Sequence, residues 1–260
     1  MTPHRPILTR RHLIQSAVVG ATALWMRPLW AFGDKNKLVV PLLQHSSGVT
    51  GLRKSALRRL VLEVEKRTSV AVNPTSKSIA ISDKKLFEYP LVVWAGKGAF
   101  PPLKTKELDT LRKYLKAGGM LFVDSSEGIS SGPFIKSVRR EIKRLYPKRP
   151  LKVIPKSHVL YKSFYLIPQP VGRLATSASM QGIFEQDRLS VVVGTNDLLG
   201  ALAKDNFGAW GFDVLPGGAR QREMAFRLGI NIIMYALCIN YKADQVHIPF
   251  ILKRRRWRVE

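Results

Sequence analysis

Four residues of this 260-residue chain have the side-chain types and the placement that catalysis would need. Asp124 and Ser125 follow one apolar run, Asp197 follows another, and His158 lies in a polar loop. Ser125 with His158 as its base is a candidate nucleophile pair, although the Gly-x-Ser-x-Gly pattern of a nucleophile elbow is absent around Ser125. These residues are the catalytic candidates of the sequence.

Metal ligation is the other chemistry that strand-end residues could support. Asp124, Glu127, His158 and Asp197 are oxygen and imidazole donors, but the sequence has no closely spaced ligand pair of a known metal motif, such as two histidines one helical turn apart. The sequence therefore predicts no metal site and no cofactor. The alternative for each residue is structural: Asp124 and Asp197 as turn or helix-capping carboxylates, and His158 as a hydrogen-bonded loop histidine.

The elements that position these residues alternate between apolar runs and amphipathic segments. Strands are predicted at 38–43, 70–72, 79–81, 91–96, 120–123 and 189–193, and helices at 52–67, 105–117, 133–146 and 220–241. Fully apolar strands separated by amphipathic helices indicate an α/β fold with a parallel sheet that is covered on both faces. The loops 45–51, 96–101 and 124–132 then form the rim where ligands bind in such sheets.

The N-terminus has the order of an export signal. Arg10 and Arg11 with Leu13 precede the apolar stretch Ala17–Met26, and no acidic residue stands before Asp34. The apolar stretch is shorter than the roughly 20 residues of a membrane-spanning helix. We expect a twin-arginine signal peptide over residues 1–31 and a periplasmic or extracytoplasmic protein, with a general secretory signal or an uncleaved anchor as alternatives.

The charge of the chain is strongly basic, at +25, and removal of residues 1–31 would leave +21. Such a charge favours anionic partners, and after export a nucleic acid is not expected. The C-terminal run Lys253–Arg258 contains Trp257 among its cations, and it could bind an anionic membrane surface or an acidic partner, or form a solvated tail. The sole cysteine, Cys238, lies in an apolar run and is expected to be a buried small hydrophobe.

A longer pattern resembles a known family. Residues 111–124 read as a helix, a double glycine and a strand, as in the domain of unknown function family 4159. Stretches in matching order extend the resemblance over roughly residues 85–250: Val138-Arg139-Arg140-Glu141, Ser157-His158, Ser163-Phe164-Tyr165, Asn196-Asp197, Arg222-Glu223 and Gly229-Ile230-Asn231.

This resemblance implies a class I glutamine amidotransferase-like fold, a flavodoxin-like three-layer sandwich with a mostly parallel sheet, and no established activity. It also implies envelope partners, namely membrane proteins with von Willebrand factor A domains and proteins associated with MoxR-type ATPases. An amidotransferase needs a thiolate nucleophile, and no cysteine stands at a strand end of this chain. The candidates for ligand binding lie on the predicted rim or in the shared stretches: Ser47, Gly48, Gly96, Tyr165, Asn196 and Arg222.

The sequence thus predicts one α/β domain over residues 32–260 and leaves three hypotheses for its function. The first is a non-enzymatic binding or assembly module of the envelope. The second is a hydrolase or metal-dependent enzyme that uses Asp124, His158 and Asp197. The third is a peripheral binder of an anionic membrane surface.

Overall fold

The computed structural model describes residues 37–46, 53–75, 77–185 and 188–240. The described residues from Leu38 to Asn240 form one structural unit, and the predicted signal peptide lies outside the described residues. Seven strands form one sheet: β1 (Leu42–Gln44), β2 (Ser78–Ala80), β3 (Leu91–Gly96), β4 (Met120–Ser125), β5 (Lys152–Val153), β6 (Gln181–Glu185) and β7 (Arg188–Gly194).

The sheet has the order β2-β1-β3-β4-β7-β6-β5. The first five strands in that order pair in parallel, whereas β6 runs antiparallel to both β7 and β5. Crossovers between parallel strands require intervening helices, which explains the alternation of elements along the chain. The predicted α/β fold with a mostly parallel sheet is confirmed.

The described residues form five α-helices and two short 3-10 helices. The α-helices are α1 (Lys54–Arg67), α2 (Thr105–Lys116), α3 (Pro133–Leu145), α4 (Leu198–Leu202) and α5 (Gly218–Asn240). Successive side chains of a strand point to opposite faces of the sheet, and this alternation separates two cores. Val93 and Phe122 pack in one core with residues of α1, α4 and α5. Trp94 and Val123 pack in the other core with residues of α2 and α3. Helices therefore cover both faces, as predicted.

The turn between α2 and β4 is fastened by a long-range contact. Gly118 ends the helix with φ of 108°, a conformation that favours glycine. The guanidinium of Arg188 donates to the carbonyls of Gly118 and Gly119, at 2.9 Å each, and to that of Leu115 at 2.6 Å. Arg188, at the start of β7, thus binds the Leu115 carbonyl, which also accepts from the Gly118 N–H, and the two carbonyls of the turn that follows α2.

Candidate functional site

Asp124 lies at the carboxyl end of β4 and is fully buried. Its two carboxylate oxygens accept hydrogen bonds from the backbone N–H groups of Leu198, at 2.9 Å, and Leu199, at 2.8 Å. These N–H groups belong to the first turn of α4, where a helix has unpaired donors. Asp124 therefore fastens the start of α4 to the sheet.

Asp197 is the residue before α4 and caps that helix. Its backbone adopts a left-handed conformation with φ of 53°, and its carboxylate accepts from the Gly200 N–H at 3.0 Å. The same fully buried carboxylate accepts from Arg53 Nη2 at 2.9 Å and from Arg173 Nε at 2.6 Å. The four residues Asp124, Asp197, Arg53 and Arg173 form what we call the aspartate–arginine cluster.

The two aspartates influence each other electrostatically. Burial, and next the nearby charge of Asp197, raise the pKa of Asp124 to about 7. Burial also raises the pKa of Asp197, and the guanidiniums of Arg53 and Arg173 oppose that effect. A negative charge on one carboxyl group therefore disfavours ionisation of the other. Asp197 has the better cationic partners, so it is the aspartate favoured to carry the first negative charge.

The candidate nucleophile and base lie apart from each other. Ser125 is fully buried, and its hydroxyl accepts from the Glu127 N–H at 3.4 Å. His158 instead packs against the rings of Phe184 and Tyr235, with centroids 5.7 and 5.5 Å away, and its Nδ1 accepts from the Leu160 N–H. Within the described residues, none of its hydrogen bonds or ion pairs involves Ser125 or either aspartate. Burial lowers the pKa of His158.

Asn196, a ligand-binding candidate, lies beside the cluster and is saturated by the protein itself. Its Nδ2 donates to the carbonyls of Pro170, at 3.0 Å, and Ser177, at 2.8 Å. Its Oδ1 accepts from the Thr176 hydroxyl at 3.1 Å and from the Ser177 N–H at 2.9 Å. Asn196 therefore holds the segment 170–177 against the end of β7.

Gly96, another candidate, ends β3 and lies directly under the ring of Phe134. A Cβ at Gly96 would come within 2.2 Å of that ring. The close approach of α3 to the sheet explains the glycine at this position. Two further candidates, Ser47 and Gly48, lie outside the described residues.

Tyr165 and Arg222 lie on other parts of the molecule. The Tyr165 N–H donates to Asn231 Oδ1 at 2.7 Å, and the guanidinium of Arg227 lies 5.1 Å above its ring. The guanidinium of Arg222 donates to the carbonyls of Ala201 and Phe212 and lies 4.0 Å above the ring of Trp210. The structure therefore does not gather those sequence candidates that it describes into one pocket.

The rim loops are tied by two more carboxylates. Glu127 accepts from the Gly98 N–H at 2.8 Å and from the Phe134 N–H at 3.1 Å, which joins the loop after β3 to the start of α3. Glu107 accepts from the Ser46 N–H at 2.8 Å and so holds the end of β1 near α2. These carboxylates thus accept hydrogen bonds from backbone N–H groups, which is the structural alternative predicted for Asp124 and Asp197.

Three further observations on the described residues concern metal binding, membrane-spanning helices and the thiol of Cys238. They contain no group of three or more His, Cys, Asp or Glu side chains that could hold a metal ion. None of the helices described is both long enough and apolar enough to cross a membrane. Cys238 is half-buried in α5, and burial raises the pKa of its thiol. A raised pKa disfavours the thiolate that nucleophilic attack requires.

Sequence reasoning missed the contacts of Arg53 and Arg173 with Asp197, because Arg53 counts only as a polar residue of the helix predicted at 52–67 and Arg173 belongs to no motif. It also missed the loop 203–217, which exposes several aromatic side chains. That loop did carry a visible signal: Phe207, Trp210 and Phe212 alternate with Gly208 and Gly211 in a short stretch between two helices.

Comparison with known proteins identifies a family. A search of curated proteins finds no match to this chain. The model of the domain of unknown function family DUF4159 matches residues 40–237, which is most of the chain and contains the whole sheet from β1 to β7. The chain therefore belongs to the DUF4159 family.

Proposed function

We propose that this protein is a non-enzymatic binding or assembly module of the cell envelope. The observation that carries the proposal is the engagement of the strand-end side chains by the protein itself. Asp124 and Asp197 bind backbone N–H groups and arginines, and Ser125 is fully buried. A general base must reach the proton that it removes, and a nucleophile must reach its substrate.

The scaffold that we propose is flavodoxin-like and related to class I glutamine amidotransferases. Five parallel strands in the order β2-β1-β3-β4-β7, with helices on both faces, support this assignment because they match the 2-1-3-4-5 order of doubly wound folds. The absence of a cysteine at every strand end supports a scaffold without amidotransferase activity.

The location and partners that we propose follow from the sequence. The arginine pair and the apolar stretch Ala17–Met26 support twin-arginine export to the periplasm. The family resemblance supports membrane proteins with von Willebrand factor A domains, or MoxR-associated proteins, as partners. The role of Lys253–Arg258 at an anionic surface stays a prediction, because those residues lie outside the described part of the chain.

Crosslinking in intact cells followed by pull-down from the envelope fraction tests the binding role. We expect a specific envelope protein to be captured. The variant Asp197→Asn of the aspartate–arginine cluster is used as a bait only at a temperature where it stays folded. A second exported basic protein of similar charge is the matched control. Recovery of the same proteins with both baits would contradict the proposal.

A serine-directed fluorophosphonate probe separates the module from the hydrolase hypothesis. We expect no labelling of the folded protein, because the Ser125 side chain is fully buried. Labelling that disappears in a folded Ser125→Ala variant would establish a reactive serine and overturn the non-enzymatic assignment. Stabilisation by a divalent cation that is lost in Asp124→Asn would instead favour the metal-dependent enzyme.

A further inference from the structure

The loop 203–217, between α4 and α5, concentrates exposed apolar side chains. Nine large apolar side chains are exposed among the described residues, and four of them lie in this loop. Phe207 is 96% exposed, Leu215 57%, Trp210 44% and Phe212 38%. Single exposed apolar residues are normal on protein surfaces, whereas a cluster marks an interaction site.

Hydrogen bonds hold this loop in shape. Lys204 and Trp210 form an antiparallel bridge, and the Gly211 N–H donates to the Ala203 carbonyl at 3.0 Å. Between them, the Asp205 carboxylate accepts from the N–H groups of Phe207 and Ala209, at 2.9 Å each. Phe207 is therefore held at the tip of an ordered turn, with its side chain in solvent.

Cationic side chains lie over the faces of the aromatic rings in this loop. The guanidinium of Arg222 lies 4.0 Å from the centre of the Trp210 ring, and that of Arg53 lies 4.1 Å from the centre of the Phe212 ring. The ammonium of Lys204 lies 4.8 Å from the Trp210 ring. Such contacts are favourable because the face of an aromatic ring is electron-rich. The rings thus stay fixed without being buried.

The start of α1 supplies further positive charge beside the loop. An open cleft of about 490 Å³ separates the two, and its lining includes Arg53, Lys54, Lys204 and Phe212. Lys54 and Arg58 are exposed and stand four residues apart, so they share one face of α1. Asp205 is the one acidic residue that lines this cleft among the described residues.

We propose that the loop 203–217 and the first turns of α1 form a docking surface for a membrane of anionic phospholipids. Phe207 and Leu215 would enter the boundary between headgroups and acyl chains, Trp210 would lie at the interface, and the exposed side chains of Lys54 and Arg58 would bind phosphate headgroups. Exposed apolar side chains beside the exposed cations of α1 suit a soft, charged surface. A stable protein interface instead needs a broad complementary patch of about 800 Å² on each partner.

This inference deepens the proposed function, because a module that assembles with membrane proteins would be held at the surface of their membrane. The direct test places a polarity-sensitive fluorophore at the tip, using Phe207→Cys in the full chain with Cys238→Ala. A matched control carries the label on Val153→Cys, an exposed position in β5 at the far edge of the sheet. We expect a blue shift at position 207, and none at 153, on addition of vesicles that contain phosphatidylglycerol.

Co-sedimentation of the unlabelled full chain measures the contribution of each part of the surface. With phosphatidylglycerol–phosphatidylcholine vesicles, Phe207→Ala should lower the partition coefficient about tenfold. The pair Lys54→Gln and Arg58→Gln should lower it about 20-fold. The matched pair Lys136→Gln and Lys143→Gln removes the same charge from exposed positions of α3, on the opposite face of the sheet, and should change it much less.

Three outcomes would overturn the docking surface. They are no spectral shift at position 207, equal losses for the two charge pairs, or a Phe207→Ala variant that binds vesicles like the wild type. If Phe207→Ala instead abolishes capture of an envelope protein while vesicle binding persists, the loop is a protein interface and the membrane inference fails. If a partner is captured normally by a variant that no longer binds vesicles, the proposed function stands independently.

Discussion

Replacement of Asp197 by asparagine tests the aspartate–arginine cluster. Asparagine retains the shape of the side chain and an oxygen that can cap Gly200, and it tolerates the left-handed backbone at this position. What it removes is the negative charge between Arg53, at 2.9 Å, and Arg173, at 2.6 Å. The substitution therefore isolates the ionic part of the cluster.

The magnitude follows from the burial of the partners. Removal of one member of a buried ion pair costs about 3–5 kcal/mol, because the remaining charge is left without compensation. The side chains of Arg53 and Arg173 are 14% and 23% exposed, so solvent relieves part of that cost. We expect a loss of about 2–3 kcal/mol in the free energy of unfolding, which lowers Tm by about 5–10 °C in a domain of this size.

Urea unfolding followed by circular dichroism measures this loss, with Asp83→Asn as the matched control. Asp83 also caps a helical turn, by accepting from the Lys85 N–H at 2.9 Å, but its side chain is exposed. The control should therefore lose no more than about 1 kcal/mol.

A double-mutant cycle with Arg173→Gln tests the pairing itself. We expect a coupling free energy of about 1 kcal/mol or more between positions 173 and 197, because the two side chains are in direct contact. Additive effects, or an Asp197→Asn variant as stable as the control variant, would refute the view that this ion pair holds α4 in place.

Three further predictions concern the pH dependence and the packing of the core. Because the pKa of Asp124 is raised to about 7, the folded protein retains a proton that the unfolded chain releases near pH 4, so the free energy of unfolding should fall as the pH rises from about 4 to 7. Asp124→Asn should flatten that profile in urea titrations, and an unchanged slope would assign it to other groups. Asn231 is fully buried and makes four hydrogen bonds to the backbone of the 160–165 segment, so Asn231→Leu should cost about 3 kcal/mol or more and accelerate amide exchange there; unchanged exchange would contradict its anchoring role. Gly96→Ala should cost about 1–3 kcal/mol through its contact with Phe134, and Phe134→Leu should recover part of that loss, whereas additive losses would place the strain elsewhere.

Most of the parallel sheet and its long helices could be predicted from the sequence because their signals are local. The predicted helix at 105–117 corresponds to Thr105–Lys116, and the one at 133–146 corresponds to Pro133–Leu145. Thr105 is the first residue of its helix, and the side chain of Glu107 caps the first turn by accepting from the Lys104 N–H at 3.2 Å. Small shifts of this kind depend on which side chain reaches the free N–H groups.

The strands β5 and β6 and the short helix α4 were not predicted. β5 has two residues, and β6 mixes polar and apolar residues without a clear alternation. Their strand conformation depends on antiparallel pairing of β5 with β6 and of β6 with β7, and no local sequence pattern encodes this pairing. α4 has five residues, too few for a helical period, and it forms because Asp124 and Asp197 bind its first N–H groups.

The sequence by itself determined that Asp124 and Asp197 stand at the ends of apolar strands, and neighbouring parallel strands bring such ends together. Only the tertiary structure decided what surrounds them. Arg53 reaches Asp197 from 144 residues away, and His158, which the sequence offered as their partner, packs against Tyr235 instead. The physical reason is that these contacts depend on how helices and loops pack on the two faces of the sheet, and periodicity along the chain carries no information about that packing.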